Sequence, residues 1–278
     1  MESQGPQVIP VRDPDDHCAN SKGLPPVHPF LPQIEGFGGG ALCLLCAPVK
    51  CGKSTLISNM LLNSEFYDGQ ERFDAVNIIS NTIANDITSR FLKKAFDVYD
   101  SYDDRIIDGI VEKQKAFEKE DQPEIAVILD DCLGSIRREA KVNHLASRYR
   151  HFNIKLLVIS SQNFRAVSPI IRQNATNVIV GSPFPNRKEL YKIAEEYGDM
   201  YGGPDSWVNL YKAATPNRYD FIHMDLQSNP PKMYKNFETL IAEGEKNYIT
   251  ATGCDVSDEI PPSENKNLTV EKENVEEE

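Results

Sequence analysis

The sequence predicts an α/β domain of three layers, a mostly parallel central sheet with helices on both faces. Three observations predict it. Short apolar runs alternate with segments of helical period along the middle of the chain. Several of those runs are apolar on both faces, as strands buried inside a parallel sheet are. The first run leads directly into the turn "APVKCGKST" and then into a helix-like segment.

Taken in order, residues 1–36 are rich in Pro, Asp and Ser and lack an apolar period. They are expected to form an extended or disordered arm. "GFGGG" (36–40) is a flexible entry to the first strand, "ALCLLCA" (41–47). Four more strands are expected at "AVNIIS" (75–80), "EIAVILDD" (124–131), "IKLLVISSQ" (154–162) and "TNVIVGS" (176–182). "YDFIHMDL" (219–226) reads as one further strand at the sheet edge. Helices are expected over 54–62, 83–96, 103–120, 136–150, 168–173 and 187–197. The domain so outlined spans 37–249, and residues 250–278 form an acidic, apolar-poor tail expected to be disordered.

Composition narrows the function classes. The 278 residues suffice for one large domain or two small ones. No run of about 18 apolar residues occurs, so no membrane-spanning segment is expected. The opening "MESQGPQVIPVRDPDD" lacks a signal-peptide layout. A soluble protein in a reducing, cytosol-like compartment is therefore expected. Of the six cysteines, Cys43 and Cys46 form a C-x-x-C, but inside a strand they face opposite ways, and no second pair completes a zinc site. The net charge of −12 is carried mostly by the ends. Residues 255–278 contribute −7 and residues 1–36 contribute −3, which leaves −2 for the body. A body so near neutrality has room for a local basic surface.

"APVKCGKST" matches the phosphate-loop pattern G-x-x-x-x-G-K-[ST] except at its first position. The pattern works because backbone N–H groups wrap phosphates, the Lys neutralises the β and γ oxygens, and the hydroxyl holds magnesium. Gly52, Lys53 and Ser54 fill the demanding positions, within a nucleotide-binding set of Ala47, Pro48, Val49, Lys50, Cys51, Gly52, Lys53, Ser54 and Thr55. The following helix N-terminus adds partial positive charge. Ala47 replaces the first glycine, where one methyl is tolerable.

"IAVILDD" ends a buried strand in two acids, at the sheet edge where open α/β folds bind ligands. Asp130, with Ser54, is the expected Mg²⁺ ligand; Asp131 is expected to orient or polarise an attacking water. At the next strand end, Gln162 is placed to sense the γ-phosphate or the water. ATP hydrolysis in a ring gains from a cation lent by a neighbouring subunit, and arginine suits that role. Arg148, Arg150 and Arg172 flank the Gln162 strand, and Arg150, then Arg172, are the favoured candidates.

Together "APVKCGKST", "FDAVNIISNT", "VYDSYDDRIIDGIVEKQ", "AVILDDC", "RHFNIKLLVISSQ" and "IIRQNATNVIV" resemble the poxvirus-type genome-packaging ATPases of the FtsK–HerA superfamily. Such proteins occur in large DNA viruses, virophages and Polinton-like elements, and the resemblance covers roughly residues 40–240. It implies an ASCE/RecA-like P-loop NTPase using ATP and Mg²⁺. It also implies a homo-oligomeric ring that threads double-stranded DNA into a capsid, with capsid or portal-vertex proteins as partners. The implied location is the host cytoplasm, in a viral factory, or the virion. It gives Lys53 and Ser54 to nucleotide and metal, Asp130 and Asp131 to magnesium and water, and Gln162 to sensing. Arg187, Lys188 and Lys192 on one polar helix face are candidate DNA contacts.

Two other readings stand beside it, a P-loop small-molecule kinase and a HerA-like cellular DNA translocase. No arginine-rich lid supports the kinase, and no N-K-x-D segment supports a GTPase.

Overall fold

A computed structural model describes residues 24, 26–35, 39–83, 90–119, 121–132 and 140–245. Its centre is a nine-stranded sheet in the order β3-β2-β4-β5-β1-β6-β7-β8-β9. The parallel strands are β1 (Ala41–Cys46), β2 (Ala75–Ser80), β3 (Asp97–Tyr99), β4 (Ile125–Asp130), β5 (Ile154–Ser161) and β6 (Asn177–Gly181). β7 (Phe221–Asp225), β8 (Lys232–Lys235) and β9 (Thr239–Glu243) extend the sheet antiparallel beyond β6. The helices are α1 (Lys53–Leu62), α2 (Gly69–Arg72), α3 (Arg90–Ala95), α4 (Asp104–Lys115), α5 (Lys141–Arg148), α6 (Pro169–Asn174), α7 (Arg187–Tyr197) and α8 (Pro204–Ala214).

Alternation along the strands sorts side chains to two cores. Leu42, Leu44 and Cys46 of β1 pack with α4 to α8, including Trp207 and Tyr211. Ala41, Cys43 and Leu45 pack on the other face with α1, Leu92 of α3, and Phe66, Tyr67 and Phe73. Cys43 and Cys46 therefore belong to opposite cores. β1, β4 and β5 are buried almost throughout on both faces, which is why their sequences read as unbroken apolar runs.

The expected strands recur within a residue or two of their bounds, but the sheet is wider than expected. Tyr219–Leu226 does not supply an edge strand: β7 pairs with β6 on one side and β8 on the other. β3, β8 and β9 were not anticipated, because three to five residues carry too little pattern. α8 was also missed, although Pro204 in its first turn and Trp207, Val208 and Tyr211 on one face mark it. α4 ends at Lys115, short of residue 120. Residues 84–89 and 136–139 of two expected helices lie outside the described residues, as does everything from 246 onward.

Residues 26–35 of the N-terminal arm pack onto the domain. Val27, Leu31 and Ile34 are buried against the α1 face, and Tyr67 Oη donates a hydrogen bond to the Pro32 carbonyl at 2.7 Å. Three apolar residues spaced irregularly in a Pro-rich stretch gave no period to read.

Candidate active site

Register places the chemistry. β5 lies between β1 and β4, and Cys46 of β1 pairs with Ser161 of β5, while Ser80 of β2 pairs with Asp130 of β4. The carboxyl ends of four parallel strands therefore stop along one rim. Each expected site residue that follows a strand end emerges there.

The phosphate loop leaves β1 at Ala47 and turns through two left-handed residues, Lys50 (φ 61°) and Gly52 (φ 85°). Such a turn points successive N–H groups inward as an anion nest. Gly52 suits its place for two reasons, the positive φ and the closeness of Tyr219, whose Cδ1 would sit 3.3 Å from an added Cβ. α1 begins at once, with no side-chain cap and no acid in its first turn. Its N-terminal N–H groups thus remain available to an anion.

Lys53 is 8 % exposed. Its Nζ donates to the Ala47 carbonyl at 3.0 Å and to the Pro48 carbonyl at 3.4 Å. It also stands 3.6 Å from Asp131 Oδ2. That same Oδ2 accepts a hydrogen bond from Gln162 Nε2 at 3.0 Å. Lysine, acid and glutamine, far apart in sequence, thus form one contiguous group. Asp131 takes a left-handed φ of 51° just past β4, and its N–H donates to Ser160 Oγ at 3.1 Å.

Asp130 is the buried partner. Ser160 Oγ donates to its Oδ1 at 2.5 Å, and Ser80 Oγ to its Oδ2 at 3.3 Å. Burial pushes its carboxyl above the usual range, and the Asp131 charge adds to this, against the Ser160 hydrogen bond and Lys53. A buried carboxylate held this way carries charge that a cation would offset. Its oxygen donors, with the Ser54 hydroxyl on the cleft wall, suit a hard cation such as Mg²⁺. The cleft over this rim has a volume of about 1070 Å³, and Gly52, Lys53, Ser54, Thr55, Asp131 and Gln162 all line it. Its size and donors fit a magnesium-bound nucleoside triphosphate.

The expected arginines lie elsewhere. Arg150 precedes β5, at the opposite rim of the parallel sheet, and donates from Nε to Tyr149 Oη at 3.0 Å. It lines a second cleft of about 800 Å³ with Lys119, Arg148, His151 and Lys155. No carboxylate is among the described residues that line that cleft, although Lys155 pairs with Glu124 at 2.9 Å. Arg172 on α6 pairs with Glu196 at 3.2 Å and lies over the Phe164 ring at 5.0 Å. That packing ties α6 to α7. Neither arginine belongs to this chain's own phosphate cleft. Arg187 and Lys192 are engaged on α7 itself, with Tyr191 and Glu195.

Sequence reasoning missed several residues of the site. Ser80, the last residue of β2, and Ser160, next to the end of β5, hold Asp130 and were readable only as polar caps. Arg218, Tyr219 and Glu238 come from loops far along the chain, and nothing in "NRYD" or "NFET" marks them.

No family model matches this sequence, and no curated protein does. Among solved structures, B204, the DNA-packaging ATPase from Sulfolobus turreted icosahedral virus, superposes with a TM-score of 0.50 at 19% identity. The match covers 70% of this chain and 96% of that one. The genome-packaging NTPase B204 from Sulfolobus turreted icosahedral virus 2, in complex with AMP, gives a TM-score of 0.50 at 20% identity, with the same coverage. The shared fold is the three-layer α/β fold of a P-loop ATPase.

Proposed function

We propose that this chain is an ATP-hydrolysing motor of the viral genome-packaging type, a member of the FtsK–HerA superfamily close to its poxvirus-type branch. It acts as a homo-oligomeric ring that drives double-stranded DNA into a capsid, docked to capsid or portal-vertex proteins. It works in the host cytoplasm, at a viral factory, or in the virion. One observation carries the reading: Lys53, Asp131 and Gln162 meet at one rim, beside a buried Asp130 held by two serines.

In this reading ATP is the substrate and Mg²⁺ its partner ion. The loop amides from Val49 to Thr55 and the N-terminus of α1 bind the phosphates. Lys53 leaves its contacts with the Ala47 and Pro48 carbonyls for the β and γ oxygens, an exchange of neutral for charged acceptors. Ser54 and Asp130 would hold Mg²⁺, which would supply charge neutralisation at the phosphates. Asp131 orients the attacking water and takes its proton. Gln162, hydrogen-bonded to Asp131, couples the presence of the γ-phosphate to the strand beside β1. Arg150 is the favoured cation lent to a neighbour, because Arg172 is committed to Glu196. The second, carboxylate-free cleft supports the DNA half of the reading, since cations at its wall suit backbone phosphates. That the fold is shared with B204, a DNA-packaging ATPase, supports it further.

The test is ATP turnover by the full chain with and without long duplex DNA. Stimulation by DNA is expected, and Lys53→Ala is expected to lower turnover by about 10²-fold or more while retaining the fold. Mixing Arg150→Ala with Lys53→Ala subunits is expected to restore part of the activity. Turnover indifferent to DNA but dependent on a small phosphoryl acceptor would replace this reading with a kinase.

A further inference from the structure

The geometry points to a nucleobase subsite on Tyr219, deepening the ATP-binding reading above on which it rests. The phosphate loop, Asp131 and Gln162 line the 1070 Å³ cleft together with Arg218, Tyr219 and Glu238. Arg218, Tyr219 and Glu238 come from loops beyond the phosphate loop, and the Tyr219 ring and the Glu238 carboxylate are not phosphate ligands.

Tyr219 is unusual in three ways at once. It is 57 % exposed, one of few large apolar side chains so placed among the described residues. Its φ is 75°, a conformation that a bulky side chain rarely adopts. It is held there by the hydrogen bond from its N–H to the Ser182 carbonyl at 3.3 Å and by Asp220, whose carbonyl accepts from Ser182 N–H at 2.9 Å. A backbone forced into that region to present an exposed ring marks a ligand contact. The ring also lies against the phosphate loop, near Gly52 Cα. A nucleotide whose phosphates sit in the loop therefore has an aromatic face within reach of its base.

Arg218 sets the ring's second side. Its guanidinium lies 5.0 Å from the Tyr219 centroid, and its Nη2 donates to the Lys50 carbonyl at 3.3 Å. The platform is thus tied to the loop that binds phosphate. Glu238 supplies polarity: its carboxylate has no partner among the described residues. A carboxylate only accepts hydrogen bonds, so it suits an exocyclic amine such as that of adenine and disfavours a carbonyl in the same place. The ligand class is an amino-bearing purine nucleoside triphosphate, base stacked on Tyr219 and amine directed to Glu238.

The experiment is calorimetric titration of the full chain, in magnesium, with ATP, ITP and inorganic tripolyphosphate. Tyr219→Ala is expected to weaken ATP about 5- to 100-fold, the range for losing one base–aromatic stack. Tripolyphosphate affinity is expected to stay within about twofold, and Tyr219→Phe and Tyr219→Trp to bind ATP within about threefold of the parent. Glu238→Gln is expected to narrow the preference for ATP over ITP. Unchanged ATP affinity in Tyr219→Ala would overturn the subsite. So would an equal loss of ATP and tripolyphosphate, since the ring would then merely prop the loop. If the parent chain bound neither ligand, the nucleotide-site reading itself would fail, and the subsite with it.

Discussion

Ala47 and Gly181 share a space that holds one methyl group: a Cβ added to Gly181 would lie 2.7 Å from the Ala47 Cβ. Ala47 follows the last residue of β1 and Gly181 ends β6, the adjacent strand. This answers why a phosphate loop tolerates alanine at its first position. The methyl is 1 % exposed and points at the neighbouring strand, where glycine makes room.

Gly181→Ala is accordingly expected to destabilise the domain by about 1–3 kcal/mol, the usual cost of overpacking. Ala47→Gly is expected to cost less, and the double variant to recover most of the loss. Denaturant unfolding of the four proteins as a double-mutant cycle measures the coupling. Additive effects would mean that the two residues do not compete for space.

Burial makes the charged form of Asp130 costly. Its folded pKa is raised by burial foremost, so the folded state favours the protonated form and the group's contribution to stability is lost as pH rises through that pKa. Asp130→Asn should raise the melting temperature of the nucleotide-free protein at neutral pH and remove the fall in stability as pH rises from the usual carboxylate range through the raised folded pKa. The same variant should abolish ATP turnover. A melting temperature that falls at pH 7.5 would show that the Ser160 and Ser80 hydrogen bonds outweigh the buried charge.

His223 acts in the opposite sense. It is fully buried on β7, 3.0 Å from the Asn177 amide nitrogen and packed against the Tyr234 and Phe237 rings. Burial lowers its pKa to about 4, with Asp225 opposing. A folded pKa below the unfolded one means that the unfolded chain binds more protons, so stability falls as pH drops from about 6.5 toward 4. The loss from this group amounts to up to roughly 3 kcal/mol. Replacing it by glutamine should remove that limb of a stability–pH curve measured between pH 4 and 7.

The basic cleft before β5 makes a prediction about salt. Arg148 and Lys119 line it without a carboxylate partner among the described residues. Changing both to alanine should weaken duplex binding regardless of base sequence and lower the slope of log K against log salt by about one per cation. Fluorescence anisotropy over a salt series reads the slope, and an unchanged slope would move the DNA contact to another surface.

How much of this was legible beforehand follows from burial. β1, β4 and β5 are covered on both faces, so their sequences could only be apolar runs, and they read almost to the residue. β2 read as well. β8 and β9 are four and five residues long and show no strict alternation of buried and exposed positions, so no period stands out. The loop, the paired acids and Gln162 announced themselves because each follows such a strand. The serines that hold Asp130 did not, since a serine at a strand end is commonplace.

Sequence by itself determined the layered α/β architecture and the local chemistry of each strand end, because apolar period and phosphate-loop spacing are short-range properties. Tertiary structure alone decided which ends meet. The pairing of Ser80 with Asp130 and of Cys46 with Ser161 draws Lys53, Asp131 and Gln162 to one rim. The same sheet order sends Arg150 to the other rim and brings Tyr219 back beside Gly52. The reason is physical: strand order and register depend on how two opposite faces pack, and no local stretch of chain encodes that.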